Sequence, residues 1–435
     1  MEWHPLRAQP RRRGRLYRST RNFLPADDFI TVGPKPLIFS RGIRALTTQA
    51  HKWHLMTSTE KTIQIRNLTK RYAGNAVVDR VSLDVADGEF VTLLGLSGSG
   101  KSTTLMTVAG FVDPDEGAII ISGRDVTALE PEKRNLGVVF QNYALFPHLN
   151  VFDNIAFPLK MRGVAKAKIE TEVGRVLDLV SLQGYGQRRI SQLSGGQQQR
   201  IALARALVFA PRVLLMDEPL GALDRQLREQ LQTEIRRIHR QLGVTILYVT
   251  HDQEEALSMS DRIAIMAHGR IQQVGTPSEI YLSPSNRFVA GFFGESNFLD
   301  VSLERSDGSN VILRPKTAPG IALRAAHRQQ SGGTPASVMV RPEAIAIDTA
   351  SDATFDNNLA GTVEHIDFLG ATTRIVVRTE AGPMTVRTGR LDAVTRIAPG
   401  SEVWLKWQAT ETMAYPADTQ EAAPENPAAE PQSAG

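Results

Sequence analysis

The sequence predicts two architectures in one chain. The first is an α/β domain on a mostly parallel sheet. The second is a small all-β domain of barrel type. Three observations carry this. A G-x-x-x-x-G-K-S run, Gly95 to Ser102, lies between an apolar segment and a helix-like one. Two further apolar runs, 212–216 and 244–249, alternate with segments of helical period, the pattern of a parallel sheet covered on both faces. After about residue 290 the texture changes to short alternating runs separated by Gly and Pro.

Composition sets the limits. A chain of 435 residues, 42% hydrophobic and 22% charged, suits two or three globular domains. It has no cysteine, which excludes a disulfide framework and any thiolate metal site and fits a reducing compartment. No run of 18 apolar residues occurs, so any membrane role is expected to come through a partner. Residues 1–55 hold eleven Arg/Lys against three Asp/Glu, a net +8, while the whole chain is +4. The remainder is therefore mildly acidic, and charge gives no support for nucleic acid as a partner. Residues 1–58 are expected to be a disordered basic extension. A targeting peptide or a basic arm are the other readings. Met56 is an alternative start, and the intact mass of the native protein tests it.

Taken in order, Ile63 and Ile65 alternate with polar neighbours, and Val77, Val78, Val81, Leu83 and Val85 continue the β pattern. Asp87-Gly88 reads as a hairpin-type turn before the apolar strand 90–94. The segment 102–109 reads as a helix stopped at Gly110. β pieces follow at 118–121 and 137–140, then helices across 151–190, where Val173, Val176, Leu177, Leu179 and Val180 keep helical spacing. A loop, 191–196, leads to a helix from Gln197 to about Val208. After the strand 212–216 comes a long amphipathic helix over 221–242, with Leu227, Leu231, Ile235 and Ile238 on one face. The strand 244–249 completes the apolar set. Alternating runs at 337–341, 361–365, 373–378, 384–387 and 403–407 make up the barrel. The Pro/Ala/Glu-rich end, 413–435, is expected to be a disordered tail.

The chemistry starts at the Gly95–Ser102 run. A strand, a glycine-rich loop and a helix gather backbone N–H groups and the positive end of a helix dipole at one point. Glycines let the main chain approach phosphates closely. Gly95, Ser97, Gly98, Ser99, Gly100, Lys101, Ser102 and Thr103 are thus candidate nucleotide contacts, with Lys101 on the β- and γ-phosphates and Ser102 on Mg²⁺. The strand 213–216 ends in Asp217-Glu218-Pro219, delivering carboxylates where doubly wound sheets place ligand contacts. Asp217 suits the Mg²⁺ shell, and Glu218 suits orientation and deprotonation of the attacking water.

With these in place, Leu193-Ser194-Gly195-Gly196-Gln197-Gln198-Gln199-Arg200 resembles the signature of ATP-binding cassette (ABC) ATPases. The other cassette elements follow in the family's order, over about residues 61–290. The resemblance implies that Tyr72 stacks on adenine and that Gln141 is the Q-loop glutamine, a breakable link to Mg²⁺ and water. It implies that 221–224 is the D-loop, ending in Asp224, and that His251 is the switch histidine near the γ-phosphate. Gly221 departs from the common serine. Ser194, Gly195, Gly196 and Gln197 open a helix and offer a second anion site. In the family it completes the ATP held by a second copy, in a head-to-tail sandwich. The implied fold is a P-loop ABC ATPase domain over 59–292, a mostly parallel sheet with antiparallel β and helical subdomains, the helical one at about 142–192. An OB-like (TOBE) regulatory barrel over 293–412 follows.

Phe146-Pro147-His148-Leu149 and Phe152 resemble the surface on which the membrane subunits dock. Segments 285–292, 340–343, 361–364 and 368–370 resemble the barrel of importer ATPases. The run 217–229 looks most like spermidine/putrescine importers. The implied assembly is a homodimer with two integral membrane permease subunits and, indirectly, a periplasmic or extracellular solute-binding protein. It would sit peripherally on the cytoplasmic face of the inner or plasma membrane. The same role with ferric iron, a sugar or an oxyanion is the first alternative. A non-transport ABC ATPase is the second, disfavoured by the single cassette and the absence of heptads.

Overall fold

The computed structural model describes residues 61–221, 223–307, 310–326, 334–390 and 395–417. The basic extension, Met56 and the tail beyond 417 lie outside the described residues.

The N-terminal part has two sheets. β1 (Lys61–Tyr72), β2 (Asn75–Ala86), β4 (Glu116–Ile121) and β5 (Arg124–Asp125) form a four-stranded sheet in the order β2-β1-β4-β5. The second sheet has six strands. They are β3 (Phe90–Leu94), β6 (Gly137–Val139), β7 (Val213–Asp217), β8 (Thr245–Thr250), β9 (Arg262–Ala267) and β10 (Arg270–Gly275), in the order β10-β9-β3-β8-β7-β6. All its pairings are parallel except β9 with β10. β3, β7 and β8 are buried along their whole length, which is why they read as unbroken apolar runs.

Successive side chains of one strand serve opposite layers. Val213 and Leu215 pack with Ile63, Val85, Leu105 and Ile119 beneath the four-stranded sheet. Leu214 and Met216 pack with Ile155, Val173, Ile201 and Ile235 on the helical side. Each fully buried aliphatic chain of this kind contributes about 1.5–3 kcal/mol. The helices of that side are α2 (Val151–Met161), α3 (Lys166–Leu179), α4 (Gly195–Leu207) and α5 (Arg225–Leu242). α1 (Lys101–Ala109) follows the glycine loop and ends at Gly110, whose φ of +88° suits a residue without Cβ. α6 (Gln253–Met259), α7 (Pro277–Leu282) and α8 (Arg287–Phe292) lead to the C-terminal part.

That part is two five-stranded antiparallel sheets around a shared core that includes Leu313, Val338, Ile375, Leu405 and Trp407. One has the order β13-β12-β11-β14-β20, from β11 (Asn297–Asp307), β12 (Asn310–Pro315), β13 (Leu323–Ala326), β14 (Pro335–Val340) and β20 (Thr412–Pro416). The other has the order β15-β19-β16-β17-β18, from β15 (Ala346–Asp348), β16 (Asn357–Phe368), β17 (Thr373–Thr379), β18 (Gly382–Thr388) and β19 (Glu402–Trp407).

Several expectations need correction. Asp87-Gly88 is not a hairpin. β2 pairs with β1, and β3 with β8 and β9, so the turn carries the chain from one sheet to the other. The amphipathic helix begins at Arg225, not 221, because Asp224 Oδ1 accepts from Leu227 N at 2.9 Å and caps it. α4 begins at Gly195, two residues before the expected start, because Ser194 caps it. The expected barrel limit at 412 falls short. β20 continues to Pro416 and buries Met413 and Tyr415. The antiparallel pair β9–β10 closes the sheet edge and had no counterpart in the sequence reading.

Candidate functional site

The site forms at the carboxyl ends of β3, β7 and β8. The glycine loop crosses there because two positions tolerate only glycine. Gly100 sits at φ +95°, and a Cβ on it would lie 2.4 Å from Val77 O. A Cβ on Gly95 would lie 2.2 Å from Met266 O. Within this cradle Lys101 is buried, and its Nζ donates to the carbonyls of Gly95 and Leu96, each at 2.8 Å. Burial pushes the ammonium pKa down, while Glu218 and Asp217 oppose that shift. No side chain caps α1, so the N–H groups of its first turn are left to a ligand. Ser99 is buried, Thr103 half-buried, and Ser97 exposed at the loop tip.

Asp217 ends β7, and its Oδ1 accepts from Ser102 Oγ at 2.8 Å. Burial raises its carboxyl above the usual range, and the serine hydroxyl pulls it back. One hydroxyl beside one carboxylate is a hard oxygen set of the kind Mg²⁺ uses when phosphate oxygens and waters complete its shell. Among the described residues no cluster of three or more His, Cys, Asp or Glu could hold a metal alone. The donor set therefore fits an ion that arrives with a phosphate ligand.

Glu218 follows in a left-handed conformation, φ +42°, which is costly for a residue with a Cβ. Its backbone N donates to Val249 O at 3.0 Å, tying the bend to β8. Its Oε2 accepts from Gln141 Nε2 at 3.3 Å and lies 3.2 Å from His251 Nδ1. His251 and Gln141 are exposed, so both can respond to what lies outside. Lys101, Ser102, Asp217, Glu218, Gln141 and His251 thus converge, although they come from four separate stretches of sequence.

Of the remaining predicted residues, Ser194, Gly195, Gly196 and Gln197 open α4, while Asp224 caps α5. Ser194 Oγ accepts from Gln197 N at 3.4 Å, and Gln197 Oε1 accepts from Ser194 N at 3.0 Å. Gly195 packs toward Leu223, and a Cβ on Gly196 would lie 2.8 Å from Leu227. The signature turn therefore rests on the segment that Asp224 caps. Tyr72 ends β1, about half exposed, with the Lys70 ammonium 5.5 Å from its ring centre. Phe146 packs tilted against the exposed Phe157, with ring centres 4.7 Å apart. Phe152, expected at the same surface, instead packs partly into the helical core. The sequence reading did not single out Glu255, which is buried and accepts from the hydroxyl of Thr250, the residue before His251. The spacing of Asp252 and Glu255, a helix cap and its third residue, was the available signal.

The ABC transporter family model matches residues 78–221, and the TOBE domain model matches residues 338–414. The chain is 45% identical to the spermidine/putrescine import ATP-binding protein PotA of Rubrobacter xylanophilus, over 80% of this chain and 92% of that one. It is 46% identical to the protein of the same name from Acidothermus cellulolyticus, over 80% and 92%. Among solved structures, cbiO1 of Clostridium perfringens, part of the ABC transporter complex cbiONQ, is 26% identical with TM-score 0.48. It covers 51% of this chain and 90% of that one.

Proposed function

The chain belongs to the family of spermidine/putrescine import ATP-binding proteins, ATPases of the ABC class, and from that premise we propose how its residues work and what they power. ATP binds in the glycine loop, with Lys101 and the first-turn N–H groups of α1 against the phosphates. Ser102 and Asp217 would hold Mg²⁺. That ion supplies neutralisation of phosphate charge. Glu218 takes a proton from a water. The water oxygen bonds to the γ-phosphorus as the bond to the β–γ bridging oxygen breaks, releasing ADP and phosphate. Gln141 and His251, both against Glu218 Oε2, hold that carboxylate in line and sense the γ-phosphate. Tyr72 stacks on adenine.

A second copy faces the first, and its Ser194–Gln197 turn and Asp224 complete each site. Closing and reopening of this dimer moves two integral membrane permease subunits. These dock around Phe146 and the exposed Phe157 and Met161. No described helix is long and apolar enough to cross a membrane, in keeping with a peripheral subunit on the cytoplasmic face. The cargo is a polyamine, delivered by a solute-binding protein.

The observation that best supports this is the Ser102–Asp217 hydrogen bond, which joins the phosphate loop to the strand end bearing Glu218. The test is uptake of labelled spermidine in a strain lacking this chain, with the native chain or Glu218→Gln restored. Uptake returning only with the native chain supports the reading. Uptake of ferric iron, a sugar or an oxyanion in its place overturns the cargo and leaves the ATPase.

A further inference from the structure

Arg228 lies four residues past Asp224, in the first turn of α5, and its guanidinium reaches three places. Nη2 donates to Leu223 O at 3.1 Å, on the turn before the helix. Nη1 donates to Asp252 Oδ2 at 2.9 Å, and Asp252 directly follows His251. Nε faces Glu255 Oε1 at 3.8 Å. The other oxygen of Glu255 accepts from Tyr248 OH at 2.8 Å and from Thr250 Oγ1 at 2.7 Å. Thr250 directly precedes His251, and its Oγ1 also accepts from Asp252 N at 3.0 Å. Asp252 Oδ1 in turn accepts from Glu255 N at 3.1 Å and caps α6.

Both neighbours of His251 are therefore fixed, and the fixing runs through one guanidinium to Leu223. The pair is not an ordinary surface contact. Glu255 is only 2% exposed, and burial raises its carboxyl pKa against the pull of the two hydroxyls and Arg228. A fork-shaped cation that donates to Leu223 and Asp252 and stands in ion-pair range of Glu255 suits this geometry, and a lysine ammonium matches it only in part.

We propose that Arg228 is a positioning residue for ATP turnover. It locks the segment 250–252, which carries His251, to the Leu223–Asp224 turn, so that the two move as one body. The proposal rests on the roles given above to His251 and Asp224. Arg228 acts through them, and its own side chain is held by Leu223, Asp252 and Glu255. Because His251 bears on Glu218, a shift of about 1 Å in this segment can slow the chemical step by about a hundredfold.

The experiment measures kcat and KM for ATP in the assembled transporter. The variants are Arg228→Met, Arg228→Lys, Asp252→Asn and the double variant Arg228→Met/Asp252→Asn. Glu218→Gln is the control, and thermal unfolding is recorded in parallel. Arg228→Met is expected to lower kcat by about ten- to a hundredfold with KM within about twofold of native. Arg228→Lys recovers part of the rate. The double variant is no slower than the slower single one, since both remove the same link. A native kcat in Arg228→Met, a loss confined to KM, or losses that multiply in the double variant each overturn the proposal. Should Arg228→Met fail to fold, Arg228→Lys decides. A reduced kcat at native KM and native melting supports the link, and a native kcat overturns it. Full turnover by Glu218→Gln would overturn the underlying site assignment instead, whatever the Arg228 variants do.

Discussion

Two helices of this chain start with glycine-rich turns, and they start differently. α1 begins after Gly100, in the left-handed region, with no side-chain cap. α4 begins after Ser194, extended at φ −67° and ψ 160°, inside a full capping box with Gln197. Both ends carry the same partial positive charge. At α1 the orphan N–H groups face the site, and the chain closes around them with Lys101, Ser102 and Asp217. At α4 the chain's own side chains take up donors, and the turn rests on Leu223 and Leu227. Under the proposed function one end receives an anion, and the other is a braced platform for the anion held by a second copy.

This contrast can be broken at four places, in falling order of effect. Glu218→Gln should cut turnover by about 10²–10⁴-fold, the usual worth of a general base, while nucleotide binding persists. Steady-state hydrolysis and equilibrium binding of a fluorescent ATP analogue check this together. Gly100→Ala should remove nucleotide binding by the isolated chain and destabilise it by about 1–3 kcal/mol, since its Cβ meets Val77 O at 2.4 Å. Calorimetric titration and denaturant unfolding read the two parts. Ser194→Ala should cost about 1 kcal/mol as a lost cap, leave nucleotide affinity of the isolated chain intact, and slow turnover in the complex by about tenfold. Arg225→Ala sharpens the case for Arg228 on the same helix. Among the described residues Arg225 pairs with Glu229 on an exposed face, so stability should change by less than about 0.5 kcal/mol and turnover should stay native.

Much of the candidate site was legible in the sequence because its parts are local. The glycine loop, the Asp217-Glu218 pair and the Ser194–Gln197 turn are each contiguous, and each sits at the end of a strand or the start of a helix that its own periodicity reveals. What escaped depends on pairing across the chain. β9 and β10 were invisible because β9 flanks β3, some 170 residues earlier in sequence at the Val91–Arg262 register, and β10 pairs in turn with β9. The barrel strands β11, β12, β13, β15 and β20 are short or irregular, and two-sheet closure sets their register more than alternation does. Asp87-Gly88 looked like a hairpin because turn chemistry names a bend and not its destination. The left-handed Glu218 has no signature in composition, since the constraint is its N–H on β8. Arg228 figured in the sequence only within the run 217–229, because its contacts with Asp252 and Glu255 exist only once the chain has folded.

The most direct test concerns the second copy. Sedimentation of the Glu218→Gln chain with Mg-ATP should show a dimer, and adding Ser194→Ala to that chain should return it to a monomer that still binds ATP. A dimer that persists unchanged with Ser194 and Gly195 both substituted, or an ATP-loaded Glu218→Gln chain that never leaves the monomer, would contradict the shared site.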